Sequence, residues 1–322
     1  MENVINLAIP HIAERIFNEF GDTELIQFRG ISKTWKQLTQ NVLIQRWNGK
    51  EIAACAKGKT IIVKLLLHST NIDWNKKDCS GWTPLMYASS NGHTDVVNLL
   101  ISYSEEKNID FNVANRQGRT SLMFACLYGH LEIVKLILKL ASIEINAKDV
   151  MGDTAFHWAC EKGHLEMVKL LIQHSNIDVH TRNLVGATGF TTACSNKRHE
   201  IVRFLVKSSD FHGVDLNAKD KDGMTGFMWI CVSGHIEMIK FLMDSGQIDL
   251  NARDARGRTA LIQCCQCRNL THAERVAKLL LDYSEAKNIF LPTRHESEVF
   301  NFPIEIIDLL KSHRKKRKIN DF

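Results

Sequence analysis

The chain has 322 residues, 44% of them apolar and 24% charged, with a formal net charge of +5. No apolar run approaches the ~18 residues of a membrane-spanning helix and no charged-then-apolar leader opens the chain, so neither insertion nor export is expected. Arg314, Lys315, Lys316, Arg317 and Lys318 supply five positive charges and Asp321 removes one; the body before residue 313 is left at +1 (+5 less +4), and no nucleic-acid partner is expected for it.

The first 47 residues carry a pattern of their own: Ile9-Pro10, Ile16-Phe17, Phe20, Glu24-Leu25, Ile31-Ser32-Lys33-Thr34-Trp35, Leu38, Leu43 and Arg46-Trp47. Three short helices are predicted, over about 11–20, 23–30 and 32–40, with Asp22 and Ser32 as N-caps. So short a segment cannot enclose that many large apolar groups, and those left exposed ask for a partner. From Ile16 onward the spacing resembles an F-box, with Glu24 in place of the usual aspartate and Ser32 in place of the usual cysteine. The Ile9-Pro10 pair stands one residue closer to Ile16-Phe17 than in that family, and the glutamate after the proline is missing. The resemblance implies that residues 1–47 dock on the Skp adaptor of a cullin-RING ubiquitin ligase through Pro10, Ile16, Phe17, Leu25, Ile31, Trp35 and Leu38. The competing role for these helices is to cap the helical stack that begins after residue 47.

Beyond them, glycine followed two residues later by threonine recurs at Gly81/Thr83, Gly118/Thr120, Gly152/Thr154, Gly186/Thr188, Gly223/Thr225 and Gly257/Thr259, in steps of 37, 34, 34, 37 and 34. A period of that length marks a stack of repeated units. Eight residues past the glycine comes a small residue, Ser89, Cys126, Cys160, Cys194, Cys231 or Cys265. Next come the pairs Gly92-His93, Gly129-His130, Gly163-His164 and Gly234-His235, then apolar residues at helical spacing such as Val96, Val97, Leu99 and Leu100. Each unit therefore reads as helix, tight turn, helix, loop. The threonine hydroxyl caps the first helix, and each of the two glycines suits a backbone position of positive φ. Asn112, Asn146, Asn217 and Asn251 lead into the following turns.

These residues, with Thr83-Pro84-Leu85 and its counterparts, resemble the ankyrin repeat. The expected fold is all-α: a three-helix F-box at 1–47, an ankyrin-repeat array at 48–312 and a basic tail at 313–322. The array opens with a degenerate unit around Cys55, Gly58 and Val63 to Leu67. Six full units follow from about 78, and Ile304, Ile306, Ile307, Leu309 and Leu310 form a closing helix over 304–312. Lys197-Arg198 replace the Gly-His pair of one unit, and Gly189 and Gly226 replace the helix-starting proline, so the stack is expected to be loosest near 186–231. The tail, 313–318, reads as a nuclear-import signal or as a solvated charged end.

Nine cysteines fall mostly in one small helix-packed slot, where a thiol serves as a compact hydrophobe; Cys264, Cys265 and Cys267 lack a second pair at ligand spacing, so no metal is expected. Many unpaired thiols indicate a reducing compartment, hence an intracellular, cytoplasmic protein. Gly58-Lys59-Thr60 imitates the end of a phosphate-binding loop, but Ala53 stands where its first glycine belongs. The recurring histidines follow the repeat register, and His157 reads as a hydrogen-bonded core residue. No cofactor and no catalysis by this chain's own side chains is expected.

Ankyrin stacks usually bind partners with hairpin tips and the exposed ends of inner helices. The matching candidates are Trp82, Arg119, Leu127, Tyr128, Val150, Met151, Asp153, Leu184, Val185 and Met224, an unusually apolar set for hairpin tips. The expected function is substrate-recruiting adaptor of an SCF-type ligase: a monomer outside the complex that holds a client protein for ubiquitin transfer. The alternative is an ankyrin-repeat scaffold or sequestering protein with no ubiquitin link.

Overall fold

Helices of six to nine residues are too short to persist alone, so each must be held by its neighbours. The computed structural model describes residues 19–30, 33–68, 72–265, 270–287, 307–308 and 311–312. Among the described residues it contains helices, turns and one isolated bridge, Lys219 to Thr225, but no strand. Two compact units divide between Asp149 and Val150.

The first unit begins with α1 (Asp22–Phe28) and α2 (Lys33–Trp47). Three helix pairs follow: α3 (Glu51–Ala56) with α4 (Thr60–Leu67), α5 (Pro84–Ser90) with α6 (Thr94–Ser102), and α7 (Ser121–Tyr128) with α8 (Leu131–Ile137). First helices stack as α3 on α5 on α7, second helices as α4 on α6 on α8, and α2 packs on α4. The helix expected over 11–20 and the Ser32 cap lie outside the described residues, apart from Glu19 and Phe20. Asp22 is not an N-cap. Gly21 takes that place, its N–H donating to Glu24 Oε2 at 2.7 Å, and Asp22 instead accepts from Arg46 Nη1 at 2.8 Å and Trp47 Nε1 at 3.0 Å. That clamp carries α2 past residue 40 and fastens its end to the start of α1.

The second unit repeats the plan with α9 (Ala155–Lys162) and α10 (Leu165–Ile172), α11 (Gly189–Ser195) and α12 (His199–Lys207), α14 (Gly226–Ser233) and α15 (Ile236–Asp244), and α16 (Ala260–Cys265) and α17 (Leu270–Ala286). The one-turn α13 (Ser209–His212) fills the extra length of a 37-residue step. At the far end, positions 307–308 and 311–312 are helical, and the rest of the expected closing helix lies outside the described residues.

The caps form as the spacing predicts. Hydroxyls of Thr83, Thr120, Thr154, Thr188 and Thr225 accept the N–H three residues on, at 3.3 to 3.5 Å. Gly129 and Gly163 end their helices at φ of 87° and 90°, and Lys197 is forced into the same left-handed region at 59°. His93 and His130 donate from Nε2 to the Ala56 and Ser90 carbonyls at 2.9 Å, tying each unit to the one before. Where the histidine is lost, Arg198 Nε makes the equivalent bond to the Glu161 carbonyl at 2.7 Å, so that junction is tied by a different side chain. Cys126, Cys160, Cys194 and Cys231 are buried between helices, and burial pushes the Cys126 and Cys194 thiols up, Cys160 adding to the rise at Cys194.

Gly189 and Gly226 have a purpose the sequence alone did not disclose. A β-carbon on Gly189 would lie 2.3 Å from Phe156 Cε1, and one on Gly226 would lie 2.6 Å from Phe190 Cε1 and 2.8 Å from Cys194 Sγ. Both phenylalanines are fully buried, each standing just past the capping threonine of the preceding unit, Thr154 or Thr188. A large ring in one unit therefore requires a bare backbone at the start of the next. Gly189→Ala should destabilise the protein by about 1–3 kcal/mol through overpacking. Combined with Phe156→Leu it should cost less than the sum of the two single changes, a coupling measurable as a double-mutant cycle in urea.

The His199 and His235 rings lie 3.8 Å apart, and His199 Nε2 is buried without a hydrogen-bond partner. Burial, then the neighbouring His235, Arg203 and Lys197, hold the His199 pKa down against a smaller opposing pull from Glu200. Because the folded state binds this proton less readily than the unfolded one, the contribution to stability is complete above about pH 6.5 and declines as pH falls from there toward the depressed value. Thermal unfolding at pH 7.5 and 5.5 should show a lower Tm at 5.5, and His199→Asn should reduce that difference.

Candidate functional site

Five hairpins are organised by an aspartate or asparagine three residues before the glycine. Asp78 Oδ1 accepts the N–H groups of Ser80 and Trp82, both at 2.8 Å, and Asn115 those of Gln117 and Arg119, both at 2.9 Å. Asn183 serves Val185 and Ala187, Asp220 serves Asp222 and Met224, and Asp254 serves Arg256 and Arg258. The second oxygen turns inward to the first helix: Asp78 Oδ2 accepts from Tyr87 Oη at 2.7 Å, Asp220 Oδ2 from Trp229 Nε1 at 3.0 Å, and Asp254 Oδ2 from Gln263 Nε2. Burial works to raise the Asp254 carboxyl, but the Arg258 and Arg256 amides and the Arg258 guanidinium outweigh it and hold it below the usual carboxylate range. The glycine-threonine spacing did not reveal these acceptors, although an Asp or Asn precedes each glycine by three residues throughout the array.

Asparagine side chains link the bases of successive loops. Asn75 bridges Asp110 N and Asn108 O, Asn112 bridges Glu144 N and Ser142 O, and Asn217 bridges Asp249 N and Gln247 O. Within the second unit the tips are also joined by main-chain bonds: Leu184 N to Met151 O at 2.8 Å, Lys221 N to Val185 O at 2.9 Å, and Ala255 N to Asp222 O at 2.8 Å. The tips there form a fixed row.

The expected client-binding residues divide between the two units. In the first, Tyr128 is 55% exposed and Leu127 half-buried. Trp82 is half-buried in a stack with Tyr87 and Phe124, at ring-centroid distances of 4.9 and 4.1 Å. Arg119 is committed to Asp149, 3.4 Å away. In the second unit Val150, Met151, Leu184 and Val185 are 58, 50, 54 and 56% exposed, and Asp153 accepts from Asn183 Nδ2 at 2.8 Å. Met224 is a correction: it is buried, its sulfur contacting Gln263 Nε2 at 3.0 Å, because the residue after this hairpin glycine folds under the tip. Phe211, on α13, is an exposed large apolar side chain that repeat register passed over; the signal was the longer step between glycines.

Of the expected adaptor contacts, Pro10, Ile16, Phe17 and Ile31 lie outside the described residues, as does the side chain of Trp35. Leu38 is half-buried. Leu25 is a second correction: it is fully buried in α1, which packs on α2, and offers no surface to a partner. An open groove of about 280 Å³ runs beside α1, lined by Ile26 and by Gly58 to Ile62. Gly58, at φ 62°, is a turn glycine between two helices and not part of a phosphate loop. His157 is buried, held by Thr154 and by the Ala187 carbonyl at 3.1 Å. No group of three or more His, Cys, Asp or Glu at metal-binding distance occurs among the described residues, and none of their helices is long and apolar enough to cross a membrane.

A family model for ankyrin repeats (3 copies) matches residues 51–149, 143–220 and 190–290. The chain is 46% identical over 48 residues to human ankyrin repeat and SAM domain-containing protein 3, covering 15% of this chain and 7% of that protein. It is 38% identical over 53 residues to the 26S proteasome non-ATPase regulatory subunit 10 of Dictyostelium discoideum, covering 16% of this chain and 23% of that one. The matches thus span less than a quarter of the length of either relative. The human ASB11 ankyrin repeat domain superposes with a TM-score of 0.56 at 22% identity, over 70% of this chain and 96% of that domain, a likeness of fold.

The hairpin acceptors make a sharp prediction about stability. Asp254→Ala strands two turn amides and the Arg258 partner of a carboxylate with no exposed side-chain surface, and should cost about 3 kcal/mol in urea unfolding. Asp222→Ala, at an exposed tip position, should change stability by less than ~0.5 kcal/mol.

Proposed function

The chain belongs to the ankyrin-repeat family, and from that premise we propose that it is a protein-binding adaptor which holds a client on its hairpin tips and delivers it, through its N-terminal helices, to a Skp-containing cullin-RING ubiquitin ligase. One observation carries the client half: Val150, Met151, Leu184 and Val185 stay at least half exposed on tips that main-chain bonds hold rigid. Water-exposed aliphatic side chains on a pre-ordered scaffold gain free energy when covered, and little of it is lost to ordering them. The ligase half rests on the F-box-like spacing from Ile16 to Trp47. In this reading no side chain of the chain enters the transfer reaction. Tethering raises the effective concentration of the client near the charged conjugating enzyme.

A second reading is favoured by the burial of Leu25, Val42 and Leu43 and by the packing of α2 on α4: the leading helices close the stack, and the protein is a scaffold or sequestering factor with no ubiquitin link. Co-purification separates the two. The Skp adaptor should accompany the wild-type chain and be lost from Ile31→Ala/Trp35→Ala, whereas an adaptor-free wild type leaves the scaffold reading standing. Met151→Ala should weaken client binding by about 2 kcal/mol with an unchanged Tm. Undiminished client capture by that variant would count against the tip surface.

A further inference from the structure

The tips of the second unit do not present the charge their sequence spells. The segment Lys219-Asp220-Lys221-Asp222 is formally neutral, and Arg253-Asp254-Ala255-Arg256 carries an acid beside its arginines. Asp220 and Asp254, however, commit both carboxylate oxygens inward, one to turn amides and the other to the Trp229 indole or to Gln263 and Arg258. Their cationic neighbours remain at the surface: Lys219, Lys221, Arg253 and Arg256 are exposed, and Asp222 is the exposed acid among them. Lys219 Nζ donates to the Arg253 carbonyl at 2.8 Å, which orders the ammonium without neutralising it. The hairpin that folds by turning its carboxylates inward thus becomes cationic outside.

This cationic stretch continues the row that begins with the exposed aliphatic tips. Leu184 N bonds to Met151 O, Lys221 N to Val185 O and Ala255 N to Asp222 O, so apolar and cationic tips belong to one ladder within the second unit. We propose that the partner of this row is an extended protein segment of composite chemistry, aliphatic residues seated on Met151, Leu184 and Val185 and a following acidic run set against Lys221 and Arg256. The inference rests on the client-binding reading above and names the chemistry of what the client offers. A nucleic acid would satisfy the cations but has no aliphatic groups to cover the apolar tips, so an acidic polypeptide fits both halves of the row.

The probe is a displayed library of random 16-residue peptides selected on the full chain, with the enriched peptides then synthesised and their kinetics measured between 50 and 300 mM salt. Enriched peptides should place aliphatic residues beside an acidic run. Lys221→Glu/Arg256→Glu should weaken them roughly tenfold, mainly through a slower association rate and a flatter salt dependence. Lys221→Gln/Arg256→Gln should fall between, and both variants should keep the wild-type Tm because the two side chains are exposed. Peptides that depend on Met151 but show no acidic bias, or that bind the charge-reversed variant undiminished, would overturn this inference and leave the client-binding reading intact. Peptides indifferent to both Met151→Ala and the charge reversal would overturn both. A labelled oligonucleotide that binds the full chain more tightly than the best peptide and is lost on charge reversal would overturn the inference in favour of a nucleic-acid surface.

Discussion

A carboxylate or carboxamide oxygen taking two backbone N–H groups at the root of five hairpins is the interaction on which the other features of the array rest. Within each of these turns, main-chain bonds such as Asp78 N to Trp82 O and Gly81 N to Asp78 O leave two further amides to satisfy, and leaving those bare next to packed helices would cost of order 1–3 kcal/mol each. Asp78, Asn115, Asn183, Asp220 and Asp254 remove that cost and fix the direction in which the tip leaves the helices. Their second side-chain atom reaches the first helix of the same unit in three cases, through Tyr87, Trp229 and Gln263. The tips are rigid for this reason, and rigidity is what makes them usable as a binding surface.

The same satisfaction of backbone groups explains how the units stay together. Short first helices are buried against one another, and their carbonyl ends receive a side chain from the next unit, His93 on Ala56 and His130 on Ser90. Arg198 on Glu161 shows that the position requires a donor of adequate reach and not an imidazole as such. Stability is then a sum over neighbouring junctions, so what weakens one junction, such as protonation of His199 beside His235, is felt chiefly by the units on either side of it.

Much of this was written plainly in the sequence, because some positions admit few residue types. Positive φ selects glycine at 81, 118, 152, 186, 223 and 257, and a helix start without a neighbouring acceptor selects threonine two residues later. Other features depend on pairs of residues distant in the chain. The glycine at 189 reads as a weak helix start until Phe156 is seen beside it, and Met224 reads as a tip residue until Gln263 is found beneath its sulfur. At the N-terminus, counting large apolar residues predicted exposed surface without saying which residues would carry it. Leu25 is one that the fold keeps, with Asp22 acting as a clamp in place of a cap.

The phenylalanine–glycine fit between units also restricts how such a chain could have been rearranged by duplication. A unit opening with Thr-Pro, as at Thr83-Pro84, would drive its ring carbon into Phe156 or Phe190 if copied behind either of their units, since even a β-carbon there falls within 2.6 Å of an aromatic carbon. Excising the segment between the two glycines would instead bring Phe156 to face Gly226, a pairing of the kind already present. Loss of a repeat in this stretch is therefore sterically cheap and insertion of a proline-led one is not, a bias in the genealogy of the array set by a few ångströms of ring edge.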